Sequence, residues 1–260
     1  IRLKPRQHEN PEHEPFKLEG IEQYNIDQKW IKALLQGENL SLDKLKAQGL
    51  WVSGGLADLM FNQKQMEINA FVDKINAIGI GNMLEPQAID INLAGVRLVG
   101  YLSNCYQNGS LFYRHAKIKG KDFMGAWLHH LIINRVSSPQ TTYLITKDAF
   151  HTFKPEDIDS ESLDKLIDCY QQGQHHPDAF FTEAAFAYIQ QQAALNNPAK
   201  KSKRPAIKLA KEALQNSMTE EYEVDLRVLY RSFEAIDEVL NVDFEQYCQQ
   251  YLLPVWEKSL

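Results

Sequence analysis

From Gly20 the apolar residues fall at Ile21, Tyr24, Ile26, Trp30, Ile31, Leu34 and Leu35, a mostly helical spacing closed by Gly37. Ser41 has the side chain of an N-cap and opens a second short helix to about residue 48. Residues 49–55, Gly-Leu-Trp-Val-Ser-Gly-Gly, read as a loop. A long amphipathic helix should follow, with Leu56, Leu59, Met60, Met66, Phe71, Val72 and Ile75 on its apolar side. The period then changes. Residues 87–93 and 96–102 alternate apolar and polar positions as strands do, Gln107-Asn108-Gly109 is a hairpin-turn signal, and 111–118 reads as the returning strand. Residues 121–135 form a helix pattern and 141–146 a further strand. Helical patterns at 155–172, 183–194, 205–216, 224–240 and 244–257 complete the chain. This order predicts an α/β fold, a mixed sheet flanked by helices. No internal repeat is visible.

Composition narrows the class. The chain has 260 residues, enough for one large domain or a domain with a subdomain. Basic residues number 28 and acidic 34, a formal net charge of −6, which argues against a generally basic nucleic-acid coat but leaves room for a local basic path. Cys105, Cys169 and Cys248 are odd in number and far apart, so free thiols in a reducing, cytoplasmic setting are expected. No signal peptide and no apolar run of membrane-spanning length is present, so no membrane is expected as a partner. Residues 1–15 begin without Met and carry Pro5, Pro11 and Pro15, as a linker cut from a longer protein would.

Certain segments, in order, resemble one family. Glu14-Pro-Phe-Lys-Leu-Glu-Gly-Ile-Glu-Gln-Tyr24 is followed by Gly49-Leu-Trp-Val-Ser-Gly-Gly55, Val96-Arg-Leu-Val-Gly-Tyr-Leu102 and Gly125-Ala-Trp-Leu-His-His-Leu131. Then come Tyr170-Gln-Gln-Gly173 with Pro177, and Tyr251-Leu-Leu-Pro254. No single piece is specific, but the ordered series resembles the C-terminal domain of RecC, the gamma chain of exodeoxyribonuclease V (the RecBCD helicase–nuclease). The resemblance implies a degenerate PD-(D/E)xK nuclease core over residues 16–260. Residues 16–80 are its helical lead-in, 87–147 the sheet core and 155–260 a helical remainder. It implies RecB and RecD as partner subunits, with double-stranded DNA ends and unwound single strands as ligands. It also implies a role in recombination and double-strand break repair. The related AddB-type subunits hold an iron–sulfur cluster, but the cysteine spacing here does not match, so no cofactor is expected.

An active nuclease of that fold needs carboxylates to hold a hard Mg²⁺ ion that activates water. The first is expected at Ser103, and the Asp/Glu-x-Lys of the hairpin partner falls where Tyr113, Arg114 and His115 stand. Neutral and basic groups therefore replace the metal ligands, and no catalytic residue is expected. Glu85, Asp90 and Asp122 lie close enough in sequence to rebuild a site, so a divergent Mg²⁺-dependent nuclease remains an alternative, and a pure protein–protein scaffold is another. Two basic clusters are candidates for phosphate contact: Arg114, Lys117, Lys119 and Lys121, and Lys200, Lys201, Lys203 and Arg204. The bland alternative for the second is a solvated linker. Tyr106 at the expected hairpin tip is a candidate to stack on an unpaired base, although strand aromatics are more often core. RecC domains are known for a pin that splits the duplex, and the tip at 106–110 is one candidate for it. His175-His176-Pro177-Asp178 reads as a solvated loop, since adjacent histidines do not easily face one ion. His129 and His130 point about 100° apart on their helix, so one should be buried and one exposed. Trp30, Trp127, Phe233 and Trp256 are expected in the core.

Overall fold

The computed structural model describes residues 20–52, 54–93, 95–159, 161–175, 181–197, 199, 203–219 and 240–260. The chain divides into two compact units, Ile1–Gly79 and Ile80–Leu260.

The first unit contains α1 (Gly20–Leu35), α2 (Leu42–Ala47) and α3 (Ala57–Asn76). Ser41 caps α2 as its sequence suggests, its Oγ accepting from the Lys44 amide at 3.3 Å. The core is aromatic. Trp30 is fully buried and stacks on Phe61 at 4.7 Å, while Trp51 meets both edge-on. Trp51 Nε1 donates to the Ala57 carbonyl at 3.2 Å, which ties the 49–55 loop to the start of α3. The apolar face of α3 differs from expectation. Ala57, Phe61, Ile68, Phe71, Val72 and Ile75 are buried, whereas Leu56, Leu59, Met60 and Met66 are exposed. Two apolar stripes run along this helix, and the one carrying Phe61 faces the tryptophans because an aromatic ring buries more area there.

The second unit holds both sheets. β1 (Gln87–Leu93) and β2 (Val96–Leu102) form an antiparallel ribbon, from Gln87 opposite Leu102 to Leu93 opposite Val96. β3 (Cys105–Tyr106), β4 (Gly109–Arg114), β5 (Thr142–Thr146) and β6 (Phe150–Phe153) form a mixed four-stranded sheet in that order. β4 and β5 run parallel and are linked through α4 (Gly120–Val136); the other pairs are antiparallel. Thus the strand at 96–102 pairs with 87–93 and not with the strand after the turn. Asn104 marks the break. It has φ 63°, a left-handed conformation that Asn tolerates, and it turns the chain out of the ribbon into the sheet. The returning strand stops at Arg114, short of Ile118. Beyond it Ala116 accepts from the Lys147 amide at 3.1 Å and the Ile118 amide donates to Asp148 at 2.9 Å, so this stretch binds the β5–β6 turn. β6, which carries His151 among its aromatics, was not expected from the pattern.

The helices follow. A 3₁₀ turn (Pro155–Asp157) precedes α5 (Ser162–His175), so the helix begins later than its apolar spacing suggests and passes Gly173. Then come α6 (Thr182–Asn196), α7 (Ala206–Thr219), α8 (Val242–Tyr247), a π-helical turn (Cys248–Leu252) and α9 (Leu253–Lys258). The helix expected at 224–240, Phe233 with it, and the histidine loop at 176–178 lie outside the described residues. Phe123 is the centre of the core. Its ring lies 5.4–5.7 Å from those of Phe153, His151, Trp256 and Phe186. A side chain at Gly120 would meet the Thr182 carbonyl at 2.6 Å, so glycine there allows α4 and α6 to pack at close range. Trp30, Trp127 and Trp256 are all buried, as expected. Among the described residues no helix is long and apolar enough to cross a membrane.

Candidate nucleic-acid interface

Ser103, Tyr113, Arg114 and His115, where the resemblance expects replaced metal ligands, differ in exposure. Ser103 is exposed at the bend between β2 and β3. Tyr113 is half-buried near the end of β4, and His115 is buried just after it. Arg114 is not a free cation. Its Nη1 donates to both oxygens of Asp122 at 3.0 and 3.3 Å, and its side chain is only 17% exposed. Asp122 in turn accepts from the Lys119 amide at 3.0 Å, closing the first turn of α4. Glu183, reaching from α6, accepts from the Gly120 and Lys121 amides at 2.8 and 3.1 Å. Two carboxylates therefore already satisfy the amides that open α4, where the helix dipole favours negative charge.

Of the first basic cluster, Lys117 and Lys121 are exposed and Lys119 is half-buried. In the second, Lys203 and Arg204 are exposed, with Arg204 paired to Glu212 of α7, while Lys200 and Lys201 lie outside the described residues. Tyr106 is 9% exposed, so it does not offer the free ring expected at the hairpin tip. It bridges to Met83 across the sheet edge, and the next residue, Gln107, uses its side-chain oxygen to accept from the Asn82 amide at 3.0 Å.

The exposed aromatic lies elsewhere. On β2 the residues Arg97, Val99 and Tyr101 point outward, while Val96 and Leu98 pack on the core. Tyr101 is 77% exposed. Arg97 holds Asp90 of β1 through two hydrogen bonds of 2.7 and 2.6 Å, which keeps that carboxyl below its usual range. The two-residue period already carried this signal, because Tyr101 shares its parity with Arg97 and the opposite parity with Leu98.

Three acids near the expected metal site lie in different places. Asp90 lies on the outer face of the ribbon with Arg97, Asp122 caps α4, and Glu85 is exposed ahead of β1. Among the described residues no group of three or more His, Cys, Asp or Glu side chains is placed to hold a metal ion.

The paired histidines of α4 are both buried, against the expectation of one exposed. His129 Nε2 lies 2.9 Å from Ser110 Oγ and His130 Nδ1 3.0 Å from Thr142 Oγ1, so each ring reaches a different strand of the same sheet. His151 Nδ1 lies 2.9 Å from Ser259 Oγ. Burial pushes all three down to about 4, so they are neutral at pH 7. Their hydroxyl partners Ser110, Thr142 and Ser259 are buried with them. All three cysteines are free thiols, and burial lifts Cys248 to about 12, far from a reactive thiolate.

The comparisons with known proteins agree with the ordered segments up to Pro177. The RecC C-terminal domain family model matches residues 1–193. The RecBCD enzyme subunit RecC of Escherichia coli (strain K12) is 24% identical over 196 residues, which cover 73% of this chain and 17% of that protein. The chain thus spans under a fifth of the length of this curated relative. With the family model covering well over half of its residues, the chain belongs to the RecC C-terminal domain family.

Proposed function

We propose that this chain is the non-catalytic, nuclease-like domain of a RecC-type subunit, which helps to guide and part DNA strands while partner subunits unwind and cut. In this reading the hairpin β3–β4, the crossover helix α4 and the parallel strand β5 are the remains of a PD-(D/E)xK core. The observation that carries it is the commitment of the nearby carboxylates. Asp122 is bound by Arg114 and the first turn of α4, and Asp90 by Arg97, so neither is free to join Ser103 around a metal ion. RecB and RecD are the expected partner subunits, and the work belongs in the cytoplasm, where DNA ends are repaired.

DNA contact, in the same reading, falls to two places. Lys117 and Lys121 supply exposed charge to phosphate, with Lys119 beside them. Tyr101 supplies an exposed ring on which an unpaired base can stack, with Val99 extending the surface. The test has two parts. The purified chain should show no Mg²⁺-dependent cleavage of linear duplex; robust cleavage that is lost on changing Glu85, Asp90 or Asp122 alone would overturn the non-catalytic reading. Filter binding of forked DNA at two salt concentrations should show salt-sensitive affinity. Absence of binding at low salt would leave a pure protein scaffold.

A further inference from the structure

A cavity of about 310 Å³ opens in the second unit between β6, α5 and the C-terminal helices. None of the nucleic-acid candidates lines it. Its apolar walls include Trp127 of α4, Phe153 of β6, Tyr251 of the π-helical turn and Val255 of α9. Four charged side chains also reach it, and three are already matched. Asp159 accepts from Lys165 at 3.3 Å, Lys165 also pairs with Glu161 at 3.0 Å, and Lys258 acts on Asp159 from a distance. Asp157 acts on His130, which burial keeps neutral. Its side chain is half-buried and has no ion pair or hydrogen bond among the described residues.

The aromatic wall also suits a cation. Lys165 Nζ lies 5.8 Å from the centroid of the Tyr251 ring, so this wall already accepts positive charge on an aromatic face. Behind the cavity, His130 is fully buried against Trp127 and Phe153, beside the Lys154 backbone. Burial holds this ring neutral. That ring therefore offers no cation of its own to Asp157. The volume is at the low end for ligand sites, enough for a short chain and too small for a nucleotide.

We propose that this cavity binds an alkylammonium group, its stem along Trp127 and Tyr251 and its charge at Asp157. The shared chemistry has two sources, a free short amine or a lysyl side chain of a partner protein. The experiment is a titration of the whole chain, read at the indole N–H resonance of Trp127, assigned by Trp127→Phe. The probes are n-pentylamine and Nα-acetyl-lysine-N-methylamide, with 1-pentanol and Nα-acetyl-norleucine-N-methylamide as neutral counterparts. Saturable shifts are expected with the two ammonium probes only, and Asp157→Asn should weaken them about ten-fold while Asp157→Glu retains them. Tighter binding of pentylamine identifies a free amine as the ligand, and tighter binding of the lysine derivative identifies a side chain. The proposal is overturned if the neutral probes bind as well, if Asp157→Asn in a folded spectrum changes nothing, or if no probe saturates.

Discussion

Acid should unfold the second unit well before its carboxylates titrate. His129, His130 and His151 are each less than a tenth exposed, and burial lowers each from 6.5 to about 4. The unfolded chain binds these protons first. Above pH 6.5 both states are neutral and the histidines cost nothing; as pH falls from 6.5 toward 4 only the unfolded state is protonated, so stability drops. A shift from 6.5 to about 4 amounts to about 2 kcal/mol per histidine between pH 7 and pH 5. Three such groups cost about 6 kcal/mol, comparable with the whole stability of many domains. His129 and His130 are neighbours and repel once charged, which steepens the fall. The assay is urea unfolding at pH 7, 6 and 5, with the second unit followed through Trp127 and Trp256 fluorescence. His151→Asn removes one titrating ring and keeps a polar atom for Ser259 Oγ. It should lower stability at pH 7 but reduce the loss between pH 7 and pH 5 by about 2 kcal/mol. A stability that is flat from pH 7 to pH 5, or an unchanged slope in the variant, would refute the reasoning.

Further outcomes follow from the same geometry. Neutralising Lys117, Lys119 and Lys121 together to Gln should weaken forked-DNA binding and reduce the salt slope by up to about 3, read by filter binding across a salt series; unchanged affinity would remove this segment from the interface. Tyr101→Ala should weaken single-strand binding by about 1–3 kcal/mol with little change in melting temperature, because its ring is exposed. Tyr106→Ala should do the opposite, costing about 3 kcal/mol of stability in denaturant titration, because its ring is buried. Asp122→Asn should cost about 1–3 kcal/mol by the same measurement, since it weakens both the Arg114 pair and the amide contact that opens α4.

Much of this protein was legible along the chain. Local periods survive folding: the strands at 87–93 and 96–102, the helix at 120–136 and the serine cap at 41 were each visible, because pattern and cap chemistry act over a few residues. The family was legible too, since it rests on ordered segments. What the sequence could not decide was which strand meets which. Pairing is long-range, and one left-handed residue at Asn104 sends 96–102 to the ribbon instead of the sheet. The same kind of decision governs exposure. Leu59 and Phe61 are both apolar on one helix, yet only tertiary packing makes Phe61 core and leaves Leu59 in water. Charge follows suit: Arg114 counts as a cation on paper, but folding places Asp122 within 3.0 Å and spends it on structure. Residue types set which groups are present; the fold, by pairing charges and burying rings, set which of them remain free to act.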